Sequence, residues 1–364
     1  MTLLAVNNVR NLVDVKLHPA ERFNLFYGAN GSGKTSLIEA IYFLGLGRSF
    51  RSRLHSRIIQ HGATHFSLFS QIQCGSQLLP VGMERHINGD SRIRIAQENV
   101  RSIVEVTRLL PLQLLNPDSR FLLLGSSKLR RQFIDWGLFH VEPTFLKSWQ
   151  HAQRALKQRN AALKSHASHT LVRLWDAELE VAAQVLHQQR KAYVAELTMV
   201  FSRIIQEFLT AGSAVSLQYK SGWDESLGLN EVLEKSLSRD LQLGYTQYGP
   251  HRADLLIRVD RTLPAQDILS QGQQKLVVYA LHLAQGILLK QQTGKRCIYL
   301  LDDLAAELDT ESRHRVASVL SEIDAQVFVT GVDRQALVEL EQVCESRLFH
   351  VEQGKIAVEV LKSL

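Results

Sequence analysis

The chain has 364 residues, 45% hydrophobic and 21% charged, with 42 Lys+Arg against 36 Asp+Glu and a formal net charge of +6. That is ordinary globular composition, long enough for two domains, with a mild lean toward anionic partners. Three cysteines without a C-x-x-C pair, an N-terminus broken by Asn7, Asn8 and Arg10, and no apolar run near the ~18 residues of a membrane span exclude a disulfide scaffold, a structural zinc site, a secreted chain and a membrane protein. The expected location is cytoplasmic, with reduced thiols at Cys74, Cys297 and Cys344.

The first third reads as short strands: Leu3–Val9, Phe23–Tyr27, Phe66–Gln73, Leu78–Ile87 and Arg92–Ile95. Asn88-Gly89 followed by Asp90 marks a tight hairpin. Directly after Phe23–Tyr27 stands Gly28-Ala29-Asn30-Gly31-Ser32-Gly33-Lys34-Thr35, which fits G-x-x-x-x-G-K-[ST]. An apolar helix, Ser36–Leu46, follows, so the motif has the strand–loop–helix context that a phosphate loop needs. Its glycines let the backbone wrap an anion, and the helix N-terminus adds partial positive charge. Lys34 would reach the β- and γ-phosphates of ATP, and Thr35 would hold Mg²⁺. Beyond this helix no acid occurs between Glu39 and Glu84, while Arg48, Arg51, Arg53 and Arg57 do.

The middle changes character. From Arg120 to Trp175 ten Lys or Arg residues face only Asp135 and Glu142. A single run of this kind is usually a solvated face; one this one-sided favours an anion-binding surface. From Lys128 to about Leu209 helical spacing dominates, with Lys164–Thr170 as the turn between two antiparallel helices. Leu171, Trp175, Leu179, Ala182, Leu186, Tyr193, Leu197, Val200, Ile204 and Phe208 mark one helix face.

Strands and helices alternate again after about Asp240. Cys297–Leu301 and Gln326–Thr330 have the continuous apolar character of buried parallel strands. The first ends in Asp302-Asp303. Asp302 is the expected Mg²⁺ partner, and Asp303 either aligns the attacking water or caps the next turn. Upstream, Leu269-Ser270-Gln271-Gly272-Gln273 precedes a helix, Lys275–Leu289. Ser270 is a good N-cap, but the run also resembles the signature of ABC-type ATPases, and Glu307-Leu308-Asp309 resembles their D-loop. In that class Ser270, Gly272 and Gln273 of one copy would cap the γ-phosphate held by another.

Lys34 and Ser270 lie more than two hundred residues apart, too far for a transporter cassette. The expected fold is α/β: a discontinuous ABC-type P-loop ATPase head, 1–118 plus 240–364, with a mainly helical lobe, 119–239, inserted as an arm. Two alternatives are a transporter cassette, which the insert disfavours, and an SMC-like nuclease, which would need an added Asp/His metal cluster.

Nearly the whole length resembles the RecF family. Asn8-Val9-Arg10-Asn11 resembles its N-F-R-N, with Val9 departing from Phe, and Gly28–Thr35 matches its phosphate loop. Pro117-Asp118, Leu123-Leu124-Gly125-Ser126 and Arg130-Arg131-Gln132-Phe133-Ile134-Asp135 resemble its P-E…R-R-x-F-L-D segment, with Ser127 where Pro is usual. Gly249-Pro250-His251-Arg252-Ala253-Asp254 resembles G-P-H-R-D-D. The resemblance implies a cytoplasmic, ATP-dependent homodimer that binds DNA at gaps and junctions. It implies action with RecO and RecR to load RecA, supporting repair, replication restart and the SOS response. Asp303 stands where ABC-type ATPases usually carry the longer Glu, so the expected DNA-stimulated ATPase activity is weak.

Three smaller assignments complete the site. Arg10 either reaches the nucleotide phosphates or is an exposed strand-end arginine. Gln113 is a candidate Mg²⁺-sensing glutamine, and His251 is catalytic or a structural turn residue. Candidate DNA contacts are Arg48, Arg51, Arg53, Arg57, Lys128, Arg130, Arg131, Arg154, Lys157 and Arg159.

Overall fold

The structure, a computed structural model, describes residues 1–165, 167–209, 214–341, 343 and 345–359. It divides into two compact units, Met1–Ser119 with Gly294–Leu364, and Arg120–Thr293.

The first unit holds two six-stranded sheets. One runs in the order Lys355–Val358, Ser346–Glu352, Phe23–Tyr27, Gln326–Gly331, Ile298–Leu301, Leu112–Leu115, and all pairs but the first are parallel. Every residue of Ile298–Leu301 and Gln326–Gly331 is buried. Both faces are covered, which is why these strands read as unbroken apolar runs rather than as alternation. The register sets Leu301 opposite Val329 and Leu115, and Val329 opposite Leu25. Residues near the carboxyl ends of four neighbouring strands therefore come level, and the phosphate loop leaves from this rim.

The second sheet is antiparallel and built from Leu12–Leu17, Leu3–Val9, His65–Cys74, Gln77–His86, Ser91–Ile95 and Glu98–Val100. His65–Cys74 alternates buried and half-buried residues over most of its length, the mark of one covered face. Helix Lys34–Leu46 supplies Leu37, Ile41 and Phe43 to a core shared with Leu4, Val6 and Phe66 of this sheet and Leu300 and Phe328 of the other. The helix ends at Gly47, whose φ of 65° is the left-handed turn that glycine tolerates best.

The second unit is mainly helical: Ser127–Val141, Phe145–Lys164, His169–Phe208, Leu229–Leu243 and Gln271–Thr293, with a small antiparallel sheet of Val215–Lys220, Asp254–Val259 and Leu263–Pro264. The buried stripe of the forty-residue helix begins at Val172, while Leu171 stays exposed. Ser168 caps this helix through the Leu171 amide; His166, within the expected turn, lies outside the described residues. At Gly137 an added Cβ would lie 1.9 Å from the Tyr193 hydroxyl, so two helices approach there only because a side chain is missing. Among the described residues Cys74 and Cys297 are free thiols; Cys344 lies outside them.

These units and the sequence reading differ over residues 240–293, which were expected to join the head. Asp254–Val259 pairs along its whole length with Val215–Lys220. Gln285, on the signature helix, donates to the Phe133 carbonyl at 2.8 Å. Alternation along the chain gives an element's type but not its neighbour, and here the neighbours are in the helical middle.

Candidate nucleotide site

The phosphate loop folds as its glycines dictate. Gly31 and Gly33 have φ of 80° and 124°, a region that side chains rarely enter. A Cβ on Gly28 would lie 2.1 Å from the Val351 carbonyl oxygen, so the loop can lie this close to the neighbouring strand only without one. The helix starts at Lys34 with Gly33 as N-cap and no side chain occupying its free amides. They remain available to an anion.

A cleft of about 570 Å³ opens over this loop. It is lined by Asn30, Gly31, Gly33, Lys34 and Thr35, by Asp302 and Asp303, and by Arg10, Arg51 and Arg57. Lys34 Nζ donates to the Gly28 and Ala29 carbonyls at 2.5 and 2.9 Å. Its partial burial lowers the ammonium pKa, while the charges of Asp303 and Asp302 oppose that. Thr35 Oγ1 donates to Asp302 Oδ1 at 3.1 Å, and Thr330 Oγ1 donates to the same oxygen at 2.8 Å. Burial pushes the Asp302 carboxyl up, against the two hydroxyls that hold it ionised.

Asp303 has φ 57° and ψ 48°, a left-handed conformation unusual for a side-chain-bearing residue. Its amide donates to Thr330 Oγ1 at 2.8 Å. Asp303 precedes the helix Leu304–Glu307 but makes no side-chain cap bond to it. Its Oδ1, and Ser32 Oγ in the phosphate loop, are buried without a hydrogen-bond partner among the described residues. Orphaned buried polar atoms beside a cradle of free amides fit an anionic ligand with a hard cation. Thr35 and Asp302 are the residues that would hold that cation, and Lys34 and the loop amides those that would hold phosphate.

Arg10 is brought to the cleft, also in a left-handed conformation with φ 56°. It is no free strand-end arginine: Nε and Nη2 donate to the two carboxylate oxygens of Glu39 at 2.9 and 2.8 Å. Asn11 and Thr330 were not singled out in the sequence. Asn11 donates to the Gly31 carbonyl at 3.1 Å and accepts from Ser36 Oγ, tying the first hairpin to the phosphate loop. The quoted Asn8–Asn11 run already contained Asn11; Thr330 had no signal beyond ending an apolar strand.

Gln113 is not brought there. It is buried in Leu112–Leu115, opposite Tyr299 and three residues short of Asp302, and does not line the cleft. The Mg²⁺-sensing role expected for Gln113 finds no support in this placement, since the register of Leu112–Leu115 sets it level with Tyr299 rather than with Asp302. His251 does not line the cleft either. Its Nε2–H donates to the Thr246 carbonyl at 3.0 Å, and burial pulls its pKa down to about 4.

The signature run lies in the helical unit. Ser270 and Gln273 form a reciprocal cap, Ser270 Oγ accepting from the Gln273 amide at 3.3 Å and Gln273 Oε1 from the Ser270 amide at 2.9 Å. Both Ser270 and Gly272 are exposed, and a Cβ on Gly272 would meet nothing within 4 Å. Asp309 caps the helix Thr310–Glu322, accepting from the Ser312 amide at 2.8 Å.

The basic residues divide sharply. Arg48, Arg51, Arg53 and Arg57 are exposed on one loop, as are Lys128, Arg154 and Lys157 on the helices. Arg130 is held by Asp254 at 2.7 and 3.0 Å, and Arg131 donates to the Ala253 carbonyl at 2.7 Å, so both brace the Gly249–Asp254 turn. Arg159 contradicts its assignment outright. It is fully buried, donating to Asp176 at 2.5 Å and to Asp240 and Thr246 at 2.6 and 2.9 Å. No DNA phosphate can reach it. Two residues not singled out as contacts, Lys147 and Lys164, are exposed on the same helix as Arg154 and Lys157. Intervals of seven, three and seven put all four on one face, and none forms an ion pair among the described residues. Helical spacing alone could have found this stripe.

Comparison with known proteins places these features. The family model described as "RecF/RecN/SMC N terminal domain" matches residues 1–357. The chain is 47% identical over 354 residues to the DNA replication and repair protein RecF of Coxiella burnetii (strain Dugway 5J108-111), covering 97% of this chain and 98% of that one. It is 44% identical over 358 residues to the protein of the same name from Shewanella woodyi (strain ATCC 51908 / MS32), covering 98% of each. Its fold is similar to a structure described as "the recombination mediator protein RecF-ATP in RecFOR pathway", with a TM-score of 0.84 at 24% identity over 99% of this chain and 97% of that one. It is also similar to an Smc head bound to the C-winged helix domain of ScpA, with a TM-score of 0.63 at 16% identity over 99% of this chain and 98% of that one. The fold is therefore the α/β fold of ABC-type ATPase heads.

Proposed function

This chain belongs to the RecF family, and on that premise we propose an ATP-dependent DNA-binding protein of recombinational repair. The observation that carries the reading is the convergence of Lys34, Thr35, Asp302 and Asp303 on one cleft beneath free helix amides. That donor set suits a nucleoside triphosphate with Mg²⁺. Bound Mg²⁺ supplies charge neutralisation of the phosphate oxygens. Lys34 and the loop amides would orient the triphosphate, Thr35 and Asp302 would hold the metal, and Asp303 would accept the proton of the attacking water.

The protein acts as an ATP-dependent homodimer in which Ser270 and Gly272 of one copy close over the phosphates held by the other. Light scattering with and without ATP–Mg²⁺ tests this. A shift from monomer to dimer on adding ATP is expected, and Ser270→Arg should abolish it while leaving ATP bound to the monomer. A wild-type chain that stays monomeric at micromolar concentration with ATP sinks the reading.

Hydrolysis is slow, and ATP times the closed dimer. Asp303 stands where ABC-type ATPases usually carry Glu, one methylene longer, and misplacement of a base costs about 10² in rate per ångström. Turnover should fall well below the ~10 s⁻¹ of a median enzyme, and Asp303→Asn should prolong the dimer further. Rapid turnover in the presence of DNA would contradict this.

DNA is bound through phosphates by the exposed loop Arg48–Arg57 and the stripe Lys147, Arg154, Lys157 and Lys164, with Lys128 nearby in sequence. No recognition helix is needed for such contacts, and they carry no base specificity. Log affinity should fall with log salt at about −0.9 per phosphate neutralised. Replacing the four stripe residues by Ala should flatten that slope and leave ATP binding intact; an unchanged slope removes the stripe from the DNA surface. RecO and RecR are the proposed partners in loading RecA at gapped DNA, in replication restart and in SOS induction. The proposed location is cytoplasmic, and among the described residues no helix is long and apolar enough to cross a membrane.

A further inference from the structure

Glu39 lies on the phosphate-loop helix and is fully buried. One carboxylate there holds several groups. Arg10 Nε and Nη2 donate to it at 2.9 and 2.8 Å, Ser49 Oγ donates to it, and Arg51 Nη1 stands 3.5 Å away. Ser49 Oγ in turn accepts the amides of Arg51 and Ser52 at 2.9 and 3.0 Å. Arg10 Nη1 donates to the Arg57 carbonyl at 2.5 Å. A single buried charge thus fixes both ends of the basic loop 48–57, while the two arginines it faces, Arg10 and Arg51, line the nucleotide cleft.

The two guanidiniums are not held alike. Arg10 is bidentate and 23% exposed, whereas Arg51 makes one long contact and is 46% exposed. A buried carboxylate stripped of every cation is strongly disfavoured, so Arg10 must stay. Arg51 is the partner that a polyphosphate can take, because phosphate offers it more charge and shorter bonds. Ser49 Oγ donates to the same carboxylate and accepts the Arg51 amide, so a change of partners at Glu39 reaches the turn that Ser49 holds.

We propose that Glu39 is a positioning residue that reports nucleotide occupancy to the basic loop. Arg10 stays on Glu39, Arg51 turns from Glu39 to the bound triphosphate, and the loop 48–57 is rearranged through Ser49. The inference rests on the nucleotide reading above and adds the route by which the site alters a DNA-binding loop.

Trypsin cleavage at Arg48, Arg51, Arg53 and Arg57 of the full-length chain, quantified by mass spectrometry with and without ATP–Mg²⁺, tests it. The test uses the Ser270→Arg background, checked as monomeric by light scattering, so that dimer contacts do not shield the loop. ATP should change the cleavage rate in this loop by about tenfold, as for the exchange of one charge-assisted hydrogen bond. Glu39→Gln keeps the shape and removes the charge, and the ATP effect should drop below about twofold while a fluorescent ATP analogue still binds. Ser49→Ala, which spares the carboxylate and its arginines, should lose the effect as well and serves if Glu39→Gln does not fold. An ATP effect that persists in Ser49→Ala, or a wild-type loop indifferent to bound ATP, overturns the positioning role alone. A wild-type chain that does not bind the analogue overturns the nucleotide reading, and this inference with it.

Discussion

Arg159→Met should destabilise the helical unit by about 3–5 kcal/mol, the cost of removing one member of a buried ion pair. Here two carboxylates, Asp176 and Asp240, are left behind, both essentially inaccessible to water. The network reaches further, since Asp240 also accepts the Gln247 amide at 3.1 Å and Thr246 is tied to Asn160. Urea unfolding of wild type and variant measures the effect. A loss under about 1 kcal/mol, typical of a surface pair, would mean that Arg159 is not the keystone its burial indicates. At temperatures where the variant stays folded, the salt slope of DNA binding should match wild type, because the guanidinium never faces solvent.

Lys34→Met should weaken ATP binding by about 100-fold or more, the scale of a lost charge-assisted hydrogen bond to phosphate. The fold should be unaffected, since among the described residues Lys34 donates to the Gly28 and Ala29 carbonyls of its own loop alone. ATP-dependent dimerisation should vanish with it. Titration with a fluorescent ATP analogue, alongside a thermal melt without nucleotide, separates the two properties. Binding within about threefold of wild type would remove Lys34 from the phosphate site.

The phosphate site was legible because its signals are local. A buried strand, a glycine-rich loop and an apolar helix follow one another directly from Phe23 to Leu46, and the structure keeps that order. Asp302 was legible for a similar reason, as the first acid after an apolar strand. The basic stretch was less so. Arg154, Lys157 and Arg159 look equivalent in a list of charges, yet on a helix five residues turn the side chain by about 140°. Arg159 therefore points away from Arg154 and into the core, where Asp176 and Asp240 wait on two other helices.

Fold class, the phosphate loop, the aspartate that ends the apolar strand and the helical middle were all readable along the chain, because each depends on composition, periodicity or contiguous spacing. Tertiary structure alone decided which charges are paired and which strand meets which. Gln113 sits level with Tyr299 rather than Asp302 only through interstrand register. Asp254–Val259 joins Val215–Lys220 only through pairing across some forty residues of chain. Glu39 looks like any helical acid until Arg10, Ser49 and Arg51 are folded onto it. Burial of a charge is the outcome of long-range packing, and a buried carboxylate persists only where the rest of the chain delivers its cations.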